Sequence, residues 1–157
     1  MSLKKPLVIT NGQIEQLQAG DTIAAAPSLI SKLNDNAGSI VIGQPVYSKS
    51  ATEVDLAQAD ASGTKDVIGL VYDTTVATTD PANIITDGVM TATTGQWDVV
   101  TGDTGGLTFN TIYYLDPNTP GMLTSTAPTV DGDFVAPVGI ALSTTQLEIR
   151  IKTTVKL

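Results

Sequence analysis

The stretch Gly102–Leu123, GDTGGLTFNTIYYLDPNTPGML, leaves the chain little choice of local structure. Gly105-Gly106 opens it, Thr111 to Leu115 is β-branched and aromatic, and Asp116-Pro117-Asn118 and Pro120-Gly121 each turn the chain. No helix survives that punctuation, so the stretch predicts two short strands with a turn at each end. Val138 to Leu142 and Gln146 to Lys152 form a second apolar pair around Ser143-Thr144-Thr145. The 24 threonines and 14 glycines, set against two phenylalanines and one tryptophan, point the same way. Threonine suits a half-exposed pleated surface and weakens helices through its branched Cβ.

The rest of the chain keeps that cadence. Ser39-Ile-Val-Ile-Gly43, the alternating run through Val54 and Leu56, and Asp66–Tyr72 all read as strands. Gly69 inside the last of these marks a bulge or a close backbone approach. Asn83 to Thr91 gives another strand, interrupted at Asp87-Gly88, a dipeptide typical of tight hairpins. A weak helical spacing follows Pro27, with Ser28 as a possible cap, and Asn34-Asp35-Asn36-Ala37-Gly38 closes it within two turns. The expectation is an all-β fold: a small β-barrel or sandwich of short antiparallel strands, with an extended N-terminal arm and at most one short helix. Residues 1–38 would be the arm and connecting segment, and residues 39–157 the β domain. In the arm, Leu7-Val8-Ile9 precedes an Asn11-Gly12 turn signal. It would serve either as the first edge strand of its own barrel or as a strap across a neighbour, where each covered aliphatic side chain contributes roughly 1.5–3 kcal/mol.

Charge and residue types narrow the chemistry. The net charge is −8, from 16 acidic and 8 basic residues. No Lys or Arg lies between Asp66 and Glu148, whereas Lys4, Lys5, Arg150, Lys152 and Lys156 sit towards the ends. An acidic body repels phosphate, so nucleic acid is not an expected partner. With no histidine and no cysteine, triads and thiolate sites have no material. No apolar run approaches the roughly 18 residues of a membrane span, and Met1–Thr10 has too short an apolar core for a signal peptide. The expectation is a cytoplasmically made chain with no membrane partner.

Carboxylates remain. Asp131-Gly132-Asp133, and Asp98 with Asp103, are the candidates for acid–base or calcium chemistry, but Asp-Gly-Asp lacks the further ligands and closing Glu of an EF-hand and reads better as a solvated turn. Gly102–Gly106 lacks the lysine of a phosphate loop, and a lone Asp103-Thr104-Gly105 triplet would need a symmetric partner to make a carboxylate pair. Tyr113 and Tyr114, adjacent on a strand, must point to opposite faces, so one can fill the core while the other meets solvent or a subunit. Trp97 is either core or a seam anchor.

The motifs QWDVVTG (96–102), GGLT, YYL, PG, LT and PVGIALSTTQLEIRI (137–151), with NGQIEQLQAGD (11–21), resemble a module of small structural proteins of tailed bacteriophages. These include head decoration, or cement, proteins, and similar modules occur in tail and fibre proteins. The resemblance implies a non-enzymatic protein without cofactor or metal on the virion surface. Its partners would be the major capsid protein and itself, as a homotrimer. Leu3, Leu7, Val8 and Ile9, with Lys4 and Lys5, would bridge shell subunits, and Trp97 and Tyr114 would add contacts. A tail, baseplate or fibre component is the alternative, followed by a host-glycan-binding module presenting Trp97 or a tyrosine on an exposed platform.

Overall fold

The computed structural model describes residues 27–157, together with the backbone pairing of two strands before them. Those two, β1 (Leu7–Thr10) and β2 (Gln13–Gln16), form an antiparallel pair with Thr10 opposite Gln13. They make a separate two-stranded sheet, outside the main one.

The main sheet is built around one long strand. β3 (Ser28–Asn34), β5 (Pro45–Ser48), β6 (Glu53–Leu56), β7 (Val67–Val71) and β9 (Pro81–Thr91) are hydrogen-bonded in the order β9-β3-β6-β5-β7, and β7 pairs back onto β9. That ring is a small closed barrel, which removes most of the open sheet edge. A short pair, β4 (Ile40–Val41) with β8 (Thr75–Val76), adds Ile40 and Val76 to its core. Val46, Val54, Val71, Ala82 and Ile84 complete that core.

β9 serves two layers because its halves have different partners. Ile84 and Ile85 pair with β3 on one side and β7 on the other, whereas Gly88–Thr91 pair with β14 (Gln146–Ile149). β13 (Pro137–Ala141), β10 (Ile112–Leu115) and β11 (Leu123–Thr124) extend the sheet from there. β12 (Phe134–Val135) and β15 (Val155–Lys156) form a last short pair. A second core, including Ile85 and Leu70 with Met90, Tyr113, Leu115, Val138, Leu147 and Ile149, joins the barrel to this extension. The two strand pairs expected within 102–123 and 137–152 are β10–β11 and β13–β14, both antiparallel.

The sequence expectation differs from the structure in three places. The segment after Pro27 is strand β3, not a helical turn: its apolar residues answer to pairing with β9, where Leu29 lies opposite Ile85 and Ile30 opposite Ile84. Asp87-Gly88 does not turn a hairpin. β9 runs through it with a register shift opposite Ser28 and Leu29, and Gly88 supplies the positive φ of 105°. The single helix among the described residues, α1 (Thr94–Thr101), lies elsewhere. It is set by its ends: Thr93 and Gln96 form a reciprocal capping box, and Gly102, at φ 73°, donates its N–H to the Asp98 carbonyl.

Two polar side chains complete the barrel. Asn34 is fully buried, donating from Nδ2 to the Gly38 and Val76 carbonyls (both 3.2 Å) and accepting the Asn36 N–H at 2.9 Å. Lys32, on the face of β3 opposite Ala82, donates to Ser48 Oγ at 2.9 Å and to the carbonyls of Ala51 and Ser50 at 2.8 and 3.2 Å. Both tie neighbouring loops to β3 by hydrogen bonds that satisfy their own polar atoms.

Candidate assembly surface

The outer face of the four-strand extension is where apolar side chains collect without cover. Register places Val89, Glu148, Ile140 and Ile112 in one row across β9, β14, β13 and β10, all on the same face. Val89 and Ile112 are 43% and 47% exposed, and Leu142, two residues beyond Ile140, is 40% exposed. Tyr114, two residues beyond Ile112, is half-buried on this face, while Tyr113 points inwards and is fully buried. The opposite-face expectation for the tyrosine pair therefore holds. Tyr113 Oη accepts the Thr108 N–H at 3.0 Å, which satisfies its buried oxygen.

Ile112, Tyr114, Ile140, Arg150 and Lys152 line a shallow depression of about 120 Å³ on this face. Arg150 is paired with Glu148 at 2.8 Å and its side chain stays more than half exposed. A neighbouring depression of about 210 Å³ shares Pro137 and Lys152 and adds Lys65. An apolar centre edged by cations can hold an acidic, partly apolar surface.

The other sequence candidates are dispersed. Leu3, Lys4 and Lys5 lie outside the described residues; Leu7, Val8 and Ile9 lie in β1, whose pairing with β2 is described and whose side chains are not. Trp97 is fully buried on α1, donates from Nε1 to the Thr145 carbonyl at 3.0 Å, and packs over Gly43. Its burial removes it as the exposed platform that a sugar-binding reading needs. Asp98 Oδ1 accepts the Gly106 N–H at 2.6 Å, fastening the Gly105-Gly106 turn to α1. Gly106 has φ 81°, and a Cβ there would collide with the Thr144 carbonyl. Asp103 is exposed, and Asp131-Gly132-Asp133 forms a surface turn with Gly132 at φ 101°. Among the described residues, no group of three or more acidic side chains is arranged to hold a metal ion, and no helix is long and apolar enough to cross a membrane.

The row Val89, Glu148, Ile140 and Ile112, with Leu142 beside it on the same face, was not anticipated from the sequence. Its signal lay in VGIAL and TIYYL, which are apolar at both parities where a strand with one solvated face would alternate.

No family model matches the chain, and no curated protein matches it significantly. Among solved structures, the chain is similar to one described as "The capsid of Myoviridae Phage XM1", with a TM-score of 0.45 and 19% sequence identity, covering 84% of this chain and 89% of that one.

Proposed function

We propose that the protein is a non-enzymatic structural component of a tailed-phage virion, of the head decoration type, which binds the major capsid protein and stabilises the shell by bridging its subunits. The resemblance of QWDVVTG, the Gly102–Leu123 stretch and PVGIALSTTQLEIRI to such modules supports the placement. The observation that carries the assembly part is the face on which exposed Val89 and Ile112 and half-buried Ile140 share a row with Glu148, edged by Arg150 and Lys152. Such a face gains from contact with another protein surface.

In this reading the barrel is a rigid block and the N-terminal segment is the strap. Leu3, Leu7, Val8 and Ile9, with Lys4 and Lys5, lie across neighbouring shell subunits, and the block assembles as a homotrimer. A ligand that binds only the assembled shell raises the free energy of taking it apart. Asp98 and Asp116 fit a block better than a reactive site, because each carboxylate is already an acceptor for backbone N–H groups: Asp98 for Gly106, Asp116 for Asn118 and Thr119.

Co-sedimentation of the purified protein with expanded phage heads and, separately, with tails tests the reading. Saturable binding to heads is expected, and it should fall when residues 1–12 are removed. Binding to tails alone would move the protein to the tail, and unchanged head binding after the deletion would remove the strap.

A further inference from the structure

The cationic edge of the outer face has a counterpart on the same chain. Lys65, Arg150 and Lys152 line the two adjoining depressions; Lys65 is paired with Asp66 and Arg150 with Glu148, and among the described residues Lys152 is in no ion pair, while the 81 residues between Asp66 and Glu148 contain no Lys or Arg. Within that cation-free span, the turn Val130–Asp133 presents an aliphatic side chain beside two carboxylates. Val130 is 64% exposed, Asp131 is exposed and Asp133 is half-buried, with Lys156 opposite the adjoining Phe134. The turn is held in shape: the Asp133 N–H donates to the Val130 carbonyl at 3.2 Å, and Leu157 N–H donates to the Asp133 carbonyl at 3.0 Å. Among the described residues, neither Asp131 nor Asp133 is in an ion pair.

We infer that the outer face docks the Val130–Asp133 turn of a second copy of this chain, with Val130 over Ile112 and Ile140 and the two aspartates against Arg150 and Lys152. Size and charge both fit this occupant. The depression is of the size of an aliphatic side chain, and its cations face carboxylates. Where each copy donates its turn to one neighbour and accepts the turn of another, the contact is head-to-tail, and copies related by it close into a ring when the rotation between them closes. The cost of ordering is small, because the turn is already tied to the C-terminal residues.

This deepens the homotrimer part of the reading above. Its test contains no phage heads, so its failure leaves shell binding to be judged by the head co-sedimentation. The full chain is measured by sedimentation velocity over a concentration series, with three variants: Arg150→Glu/Lys152→Glu, Asp131→Lys/Asp133→Lys, and all four substitutions in one chain. Wild type is expected to associate and to dissociate as salt rises. Each double reversal should weaken association by about 100-fold, and the fourfold variant should recover it. Circular dichroism checks that each variant is folded. If a charge variant fails to fold, Ile112→Ser replaces it and should likewise dissociate the oligomer. A wild-type chain that stays single at tens of micromolar, a folded reversal that associates like wild type, or a fourfold variant that stays dissociated when both doubles dissociate would each overturn the inference.

Discussion

Replacing Trp97 tests how the helix and the extension hold each other. The indole is fully buried in the core that also contains Val100, Leu107 and Tyr113, and its Nε1 donates to Thr145. Truncating a buried Trp or Phe to Ala costs about 3–5 kcal/mol where the site cannot collapse. The lost hydrogen bond adds about 0.5–1.5 kcal/mol. The lower end applies to that second term, because the Thr145 carbonyl still accepts the Ala92 N–H at 3.0 Å. Trp97→Ala should therefore destabilise by roughly 3.5–5.5 kcal/mol and lower Tm by roughly 7–22 °C for a domain of this size. Trp97→Phe keeps most of the apolar volume and loses the donor, so it should cost about 1–3 kcal/mol. Urea unfolding followed by far-UV circular dichroism measures both, since the chain's one tryptophan is the residue removed. A cost below about 1 kcal/mol for Trp97→Ala would refute the packing argument. Equal costs for the two variants would show that the Thr145 hydrogen bond, not the ring, carries the site.

Three further outcomes follow from the same contacts. Gly69→Ala should destabilise by about 1–3 kcal/mol in the same urea titration, because a Cβ there would run into the Ile85 carbonyl and the Ile84 side chain. Asn34→Leu should cost roughly 2–4 kcal/mol, since the Val76 carbonyl and the Asn36 N–H both lose their side-chain partner at a buried position; hydrogen exchange at Asn36 and its neighbours should accelerate with it. Lys49 donates to Asp35 at 2.7 Å and Asp55 at 3.0 Å, and these hydrogen bonds raise its pKa above the usual lysine range. A raised lysine pKa adds stability that is fully present below the ordinary lysine value and is lost as pH rises through the folded one. The difference in stability between wild type and Lys49→Gln should therefore stay constant from pH 6 to about 9 and shrink only in strong alkali.

How much of the structure was legible depended on whether its cause was local. The β13–β14 hairpin, the Tyr113/Tyr114 split and the close approach at Gly69 each follow from period-two geometry within a few residues. β3 did not, because Leu29, Ile30 and Leu33 fit either period until β9, some fifty residues on, supplies a partner strand. The same holds for Asp87-Gly88: a dipeptide that would close a hairpin stays within β9, next to a bulge at Thr86, when the halves of the strand are bonded to different neighbours. α1 is the converse case. Its β-branched Val99, Val100 and Thr101 argue for a strand, and only the Thr93–Gln96 capping box and Gly102 carried the helix signal. The assembly surface was legible in Tyr114 alone among its apolar members. Its other residues share a face only through cross-strand register, which no single stretch of sequence displays.

If this barrel serves by attaching to a phage shell, heads that lack it should take it up. Electron microscopy of expanded heads, prepared without the protein and then incubated with it, tests that most directly. Added density is expected at defined symmetry positions on the outer surface, reaching across more than one shell subunit. Heads identical with and without the protein, at concentrations where it is folded and in excess, would contradict it.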